Sequence, residues 1–376
     1  MPLAWATWDA LLNNFVIDRA NFTGADIGLL HSVREIPGFL AFTAVFVLLL
    51  LREQRFALLS LLVLGASVAV TGLFPTTVGI LTTTLIMSVG FHYFETVKQS
   101  LSLQWLSIEE APKVLGQLIA AGAFASILVF GLLWLVQTYL GLDYWIIYAI
   151  GGGLCAALTL FMWFAFPMMK EIVPQHKHIV LRKRYWLYYA LTFMSGARRQ
   201  IFVVFAAFMM VEKFHFDVAD IALLYLINQC LNMFLAPLIG KWIGQIGERK
   251  ALLFEYAGLI GVFTSYAFVK DAGLAAGLYI IDHVFFSMAI AIKTYFQKIA
   301  DLEDMAATAS VSFTINHIAA VVIPVLFGLL WLVSPAAVFL LGASMAGISF
   351  CLALLIPRSP AKGNEVVLTR LKPALE

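Results

Sequence analysis

The sequence predicts an all-α membrane protein of about 12 transmembrane helices, arranged as two six-helix halves. Three observations carry this reading. Of 376 residues, 62% are hydrophobic and only 12% charged, for a mean hydropathy of +0.93. A water-soluble chain carries roughly a quarter charged residues. Several stretches lack Asp, Glu, Lys and Arg over lengths that suit hydrocarbon rather than water. And the heptapeptide FGLLWLV occurs twice, at Phe130–Val136 and at Phe327–Val333, an offset of 197 residues (327 − 130).

The uncharged stretches set out the helices in order, since a helix needs about 20 apolar residues to cross the hydrocarbon. Span one covers 1–17 and stops at Asp18 and Arg19; span two covers 26–51 and stops at Arg52. Phe56–Phe94 is free of charge but too long for one helix, and Phe74-Pro75-Thr76-Thr77 divides it into span three (56–73) and span four (77–99). Val114–Leu142 and Tyr144–Met169 supply span five (113–139) and span six (143–169), parted at Asp143. Spans seven to ten follow at 185–211, 219–242, 250–269 and 272–297. Met305–Pro357, split at Ser334-Pro335, supplies spans eleven and twelve at 305–333 and 336–356. The domain plan is an N-terminal bundle (1–169), a linker (170–184), a C-terminal bundle (185–357) and a tail (358–376).

Orientation follows from Lys and Arg, which collect on the cytoplasmic side. Joins after even-numbered spans carry Arg52 and Arg55, Lys98 and Lys113, the run Lys170, Lys177, Arg182, Lys183 and Arg184, then Lys241, Arg249 and Lys250, then Lys293 and Lys298. The tail adds Arg358, Lys362, Arg370 and Lys372. The other joins are short and mixed or acidic. Both termini are therefore expected in the cytoplasm, with the chain multi-pass in a plasma membrane, the bacterial inner membrane. A net charge of +2 with no basic-aromatic patch argues against nucleic acid. Cys155, Cys230 and Cys351 lie in apolar runs without metal-ligand or disulfide spacing.

A duplication requires further matches in the same order at nearly the same offset. Ala25-Asp26-Ile27-Gly28-Leu29-Leu30 matches Ala219-Asp220-Ile221-Ala222-Leu223-Leu224 at an offset of 194 (219 − 25). Asp18-Arg19 on Glu212-Lys213, Ala57-Leu58-Leu59 on Ala251-Leu252-Leu253, and Ile108-Glu109-Glu110 on Leu302-Glu303-Asp304 keep it. Shared apolar vocabulary explains a Leu-rich heptamer but not collinear charged loop residues. A repeat of about six spans has the same topology in both copies, a parallel repeat about an axis along the membrane normal. The offset also places the partner of span seven's start upstream of Met1, so an apolar N-terminal extension is expected.

With this six-plus-six plan and its basic central loop, the chain resembles the major facilitator superfamily over nearly its whole length. The loop after span eight adds Gly240, Gly247, Arg249 and Lys250 in the family's glycine and paired-basic positions. Gly244 and Gln245 stand where the family has an acid and a base, and the Gly-Pro pair of drug-proton antiporters is missing from span five. The resemblance implies alternating access by two bundles around a central site.

Ionisable groups in hydrocarbon are costly, which makes each a functional candidate. Arg198 and Arg199 fall midway along span seven and point about 100° apart. They are expected to bind an anionic substrate group, or to form a structural ion pair with an acidic neighbour. Span two carries His31, Arg34, Glu35 and Gly38 along one face, and the offset maps the last three onto Asn228, Gln229 and Asn232 of span eight. Arg198, Arg199, Arg34, Asn228 and Gln229 are thus the expected substrate ligands. Asp282 and His283 in span ten, with Glu35 and Glu95, are the expected proton-coupling or ion-pairing groups; Asp282 as counter-ion to Arg198 or Arg199 stays open. His92 and Glu95 share a face of span four, with Glu95 expected at a gate or loop ion pair beside Lys98. Gly151-Gly152-Gly153 is read as close helix packing.

No catalytic constellation, metal motif or nucleotide-binding loop is found, and no cofactor is expected. The expected function is secondary active transport of a small organic solute, an organic anion, by alternating access with proton coupling. An exporter of amphiphilic drugs and a membrane enzyme acting on a lipid-linked substrate are the rival readings. Expected partners are the small-molecule substrate, membrane lipid and protons, with the chain acting as a monomer.

Overall fold

Helices start where short polar side chains can satisfy their first backbone N–H groups, because hydrocarbon supplies no water to do so. The computed structural model describes residues 1–48, 50–105, 111–167, 181–301 and 305–367. Expected linker residues 170–180, the matched loops at 108–110 and 302–304, and tail residues beyond 367 lie outside the described residues. In chain order the helices are α1 (Pro2–Ala20), α2 (Gly24–Phe39), α3 (Ala44–Leu48), α4 (Glu53–Thr71), α5 (Thr77–Trp105), α6 (Ala111–Leu140), α7 (Tyr144–Ala165) and α8 (Trp186–Gln200). A π-helical segment, Ile201–Ala206, leads into α9 (Ala207–Glu212). Then come α10 (Val218–Ile246), α11 (Glu248–Phe268), α12 (Ala272–Ser287), α13 (Ile290–Ile299), α14 (Met305–Trp331) and α15 (Pro335–Leu354).

Several acidic and hydroxyl loop residues act as caps. Thr23 and Asp26 form a reciprocal capping box at α2. Asp143 accepts from Tyr144 N at 2.7 Å, Asp271 from Leu274 N at 2.7 Å, and Ser334 from Ala337 N at 3.2 Å, ahead of Pro335 at the first turn of α15. Asn21 closes α1 in the left-handed conformation at φ 53°.

Among the described residues, ten helices are long and apolar enough to span a bilayer, one of them the composite Lys183–Glu212 and another the composite Ala272–Ile299. Span two, expected as one helix over 26–51, is instead broken. Pro37 removes a backbone donor near the end of α2, and a 3-10 turn at Ala41–Thr43 separates α2 from α3. Span ten breaks between Ser287 and Ile290, where Met288 and Ala289 donate to Phe285 and Phe286 carbonyls.

The chain divides into two compact units, Met1–His176 with Val211–Gln229, and Lys177–Met210 with Cys230–Glu376. In the first, α4 packs against α5 and α7, α2 against α5, and α1 against α6 and α7. The glycine triplet acts here: a Cβ on Gly152 would lie 2.2 Å from Ala69 N and 2.5 Å from Gly65 O of α4, whereas one on Gly153 would meet nothing within 4 Å. In the second unit, α11 packs on α15, and α8 on α14 and α15.

The chain after α15 folds back onto the second unit. Lys362 Nζ lies 3.2 Å from Asp301 Oδ1, Arg184 also pairs with Asp301, and Arg184 Nη1 is 3.8 Å from Glu365 Oε1. Tyr295 donates to the Glu365 carbonyl at 2.6 Å, and Val367 N to the Leu355 carbonyl at 2.9 Å.

Two predictions follow from this packing. Gly152→Ala forces backbone against backbone and should cost about 1–3 kcal/mol, read as a lowered thermal midpoint in detergent, while Gly153→Ala leaves the midpoint in place. At the tail, the hydrogen bond from Lys362, with Arg184 beside it, holds the Asp301 carboxyl below its ordinary value. A lowered folded value means that the contribution is full above the ordinary carboxylate range and fades as pH falls through the lowered one. Tail protection from trypsin at Lys362 should therefore be constant between about pH 5 and 8, and Asp301→Asn should expose that bond at neutral pH.

Candidate functional site

Polar side chains inside the apolar helices collect into one cluster per unit. In the first unit, α2 presents Arg34 and Glu35, α5 presents Ser88 and His92, and α1 presents Trp5 and Trp8. Arg34 is 5% exposed and paired with Glu35. Its guanidinium lies 5.5 Å from the Trp5 ring centre and 6.0 Å from that of Trp8, within cation–π reach. Glu35 Oε2 is 3.9 Å from His92 Nε2, and His92 Nδ1 lies 3.0 Å from both Ser88 Oγ and the Ser88 carbonyl. Ser88 donates to the Arg34 carbonyl, which ties α5 to α2 at this level. Trp5 stacks on Phe91 at 4.3 Å. His31 and Asn228 are buried in the same unit, and His31 Nδ1 and Asn228 Oδ1 have no hydrogen-bond partner. Gln229 is half-buried on α10.

In the second unit, α8 presents Arg198, α11 presents Glu255 and Tyr256, and α12 presents Asp282 and His283. Arg198 Nη1 lies 3.7 Å from Glu255 Oε1, with the two side chains 4% and 2% exposed. Its Nε donates to the Met194 carbonyl at 3.2 Å, and its guanidinium lies 4.3 Å from the Tyr256 ring centre. Asp282 is buried within electrostatic reach of Arg198, and its Oδ2 has no hydrogen-bond partner. His283 Nε2 also has none. Phe202, in the π-helical segment, packs 4.7 Å from Tyr279 and 5.8 Å from His283.

The adjacent arginines of span seven divide as helix geometry requires. Arg198 is buried on Glu255, whereas Arg199 is exposed, its guanidinium 5.4 Å from the Phe286 ring centre. Glu95 pairs with Lys98 one turn along α5 and is one-third exposed. FGLLWLV in its second copy is packing: Trp331 lies 5.4 Å from Phe205, 5.8 Å from Phe208 and 5.9 Å from Phe339.

Glu255 is the residue that sequence reasoning missed. The signal was present, since it is the one charged residue in the run Ala251–Val269. Its nearness to the basic pair Arg249-Lys250 disguises it as a helix end. Ser88 was missed too, although the 194-residue offset (282 − 88) makes it the repeat equivalent of Asp282.

Removing one member of a buried pair leaves an uncompensated charge and costs about 3–5 kcal/mol. Arg198→Gln should therefore lower the thermal midpoint sharply. Combining it with Glu255→Gln should recover part of the loss, and a double variant no more stable than the single one would contradict the pairing.

Residues 3–324 match the family profile described as the Major Facilitator Superfamily. No curated protein matches the chain by sequence. Among solved structures, a mutant of the nucleoside transporter NupG is similar at 15% identity, over 94% of this chain and 96% of that one, with a TM-score of 0.75. A bacterial homologue of the iron transporter ferroportin is similar at 10% identity over 94% and 95%, with a TM-score of 0.74. A bacterial homologue of the human lysosomal transporter Spinster is similar at 12% identity over 94% and 93%, with a TM-score of 0.71. The all-helical, many-span architecture and the match over most of the chain lead to one conclusion: the protein belongs to the Major Facilitator Superfamily and is a multi-pass membrane transporter.

Proposed function

We propose that the chain moves a small organic solute across a bacterial plasma membrane by alternating access, coupled to protons. The observation that carries the coupling is a charge count. Arg198 is a single buried cation, and two buried carboxyls, Glu255 and Asp282, lie within its reach. One proton on either carboxyl makes the group neutral, and losing that proton makes it anionic. A group whose net charge changes by one inside hydrocarbon favours different access states before and after. Each carboxyl keeps one oxygen without a hydrogen-bond partner; Glu255 is the standing partner of Arg198 at 3.7 Å, which makes Asp282 the better proton carrier.

For the substrate, an organic anion remains the reading, with the ligand reassigned. Arg34 and Arg198 are buried, each beside a carboxylate of its own unit, where an entering solute reaches them less readily than the exposed Arg199. Arg199, exposed beside an aromatic ring, is the arginine best placed to hold one. The similar structures bear names as different as a nucleoside transporter and an iron-transporter homologue, so the fold does not choose among solutes. Family membership sets aside the membrane enzyme on a lipid-linked substrate.

Proteoliposome uptake tests both parts, with succinate as an anionic probe and uridine as a neutral one. An imposed pH gradient should drive accumulation of the anion. Asp282→Asn should abolish gradient-driven accumulation at least tenfold while leaving exchange of internal for external solute. Arg199→Gln should weaken succinate binding at least tenfold. Accumulation that ignores the gradient would sink the coupling, and undiminished binding in the Arg199 variant would sink the anion assignment.

A further inference from the structure

Where α1 ends and α7 and α10 begin, the first unit holds a cavity of about 330 Å³ that the transport reading leaves unused. Asp18 and Arg19 line it from the last turn of α1, Asp143 and Tyr144 from the start of α7, and Asp217 from the residue before α10. Part of this polarity is structural. Tyr144 donates to Asp18 Oδ2 at 2.5 Å, Arg19 pairs with Asp143 Oδ1 at 2.8 Å, and Asp217 Oδ1 accepts from Asp220 N at 2.8 Å. Each of the three carboxylates keeps a second oxygen with no hydrogen-bond partner among the described residues.

A second observation points to a ligand. Asn14 also lines the cavity and is 4% exposed. Its Nδ2 donates to the Phe216 carbonyl at 2.7 Å, whereas its Oδ1 has no hydrogen-bond partner. Buried amide oxygens normally accept a hydrogen bond. An unmet acceptor in the wall of an acidic cavity calls for a ligand that brings donors and positive charge.

We propose that this cavity binds a small organic dication, an aliphatic diamine with both amino groups protonated. The charge fits: three carboxylates against one guanidinium leave two net negative charges, which two ammonium groups balance. The size fits as well, since small-molecule sites run from about 300 to 1,000 Å³. A bare divalent metal ion has the right charge but the wrong reach. It draws its oxygens to about 2.0–2.6 Å. Among the described residues, the carboxyls of Asp18, Asp143 and Asp217 do not all bring oxygens within 4.8 Å of one another. Spread carboxylates suit two charges held apart on one molecule. Leu142 and Val218 add apolar wall for the methylene chain between them. Each ammonium group offers three donors, enough to serve the Asn14 oxygen as well as the carboxylates. The ligands come from three separated stretches of chain, so no local motif announces them.

The site is separate from the solute reading, and its test uses neither transport nor a proton gradient. The purified chain is titrated calorimetrically with 1,4-diaminobutane in about 0.1 M NaCl, which screens weak surface attraction. One saturable site is expected. Butylamine, with the same chain and one ammonium group, should bind at least tenfold more weakly, and so should MgCl2. Asp18→Asn and Asp217→Asn keep the oxygens that Tyr144 and the α10 N-terminus use. Together they should weaken diamine binding at least twentyfold, with the thermal midpoint of the unliganded chain within about 3 °C of the native one. Arg19→Gln makes the cavity more negative and should tighten binding at least threefold. No saturable binding, equal binding of butylamine, tighter binding of Mg2+ or undiminished affinity in the double variant would each overturn the proposal. If the double variant loses stability, the Arg19 variant decides alone, and affinity that fails to rise overturns it.

Discussion

A guanidinium in hydrocarbon has no water to turn to, and the Arg198–Glu255 pair is how this protein meets that constraint. Both side chains are almost wholly buried, so their charges interact in a medium that screens them little. The surroundings follow from the pair. Tyr256 offers its ring face to the guanidinium, Met194 its carbonyl, and Gly196 leaves room for Asn316, whose Oδ1 would lie 2.6 Å from a Cβ there. In the first unit, Arg34 is treated alike, with Glu35 as counter-ion and two tryptophan rings beside it. Arg34 and Arg198 thus each have their charge offset by a carboxylate of their own unit where they are buried.

The helices are interrupted where the polar groups gather. The π-helical segment begins beside Arg198, span ten breaks five residues past His283, and α2 ends at a proline-weakened turn just beyond Arg34 and Glu35. Irregular backbone at membrane depth survives only where protein or a wet cavity satisfies it. Placing the interruptions beside polar clusters meets that condition, and it puts the irregular stretches of backbone next to the buried charges. Packing on the remaining faces is rigid by comparison, built on glycine contacts such as Gly152 on α4 and on aromatic contacts such as Trp331 between Phe205 and Phe339.

Much of the fold was legible because lipid imposes a one-dimensional rule. A span must be apolar for about 20 residues, so its ends are written in Asp18, Asp143 or Ser334; Asp143 and Ser334 cap the helices that follow them, and Asp18 lies in the last turn of α1. The expectation of a duplication rests on loop charges such as Asp18-Arg19 and Glu212-Lys213, which keep their order at a constant offset. The broken spans were less legible. Pro37 was visible, but nothing in Met288-Ala289 or in Ile201–Ala206 marks a break, because these residues are ordinary helix formers locally and yield only to their neighbours.

By itself, then, the sequence determined the solvent of this protein, most of its helices and the short roll of charges that hydrocarbon makes expensive. Each of these depends on composition along the chain, which needs no knowledge of neighbours. Tertiary structure decided the pairing: that Arg198 rather than Arg199 meets Glu255, that Glu255 matters at all, and that Glu95 spends its charge on Lys98. A carboxylate in a sequence has a cost but no address. Only the packing of α8 against its neighbours brings residues 57 positions apart (255 − 198) to 3.7 Å.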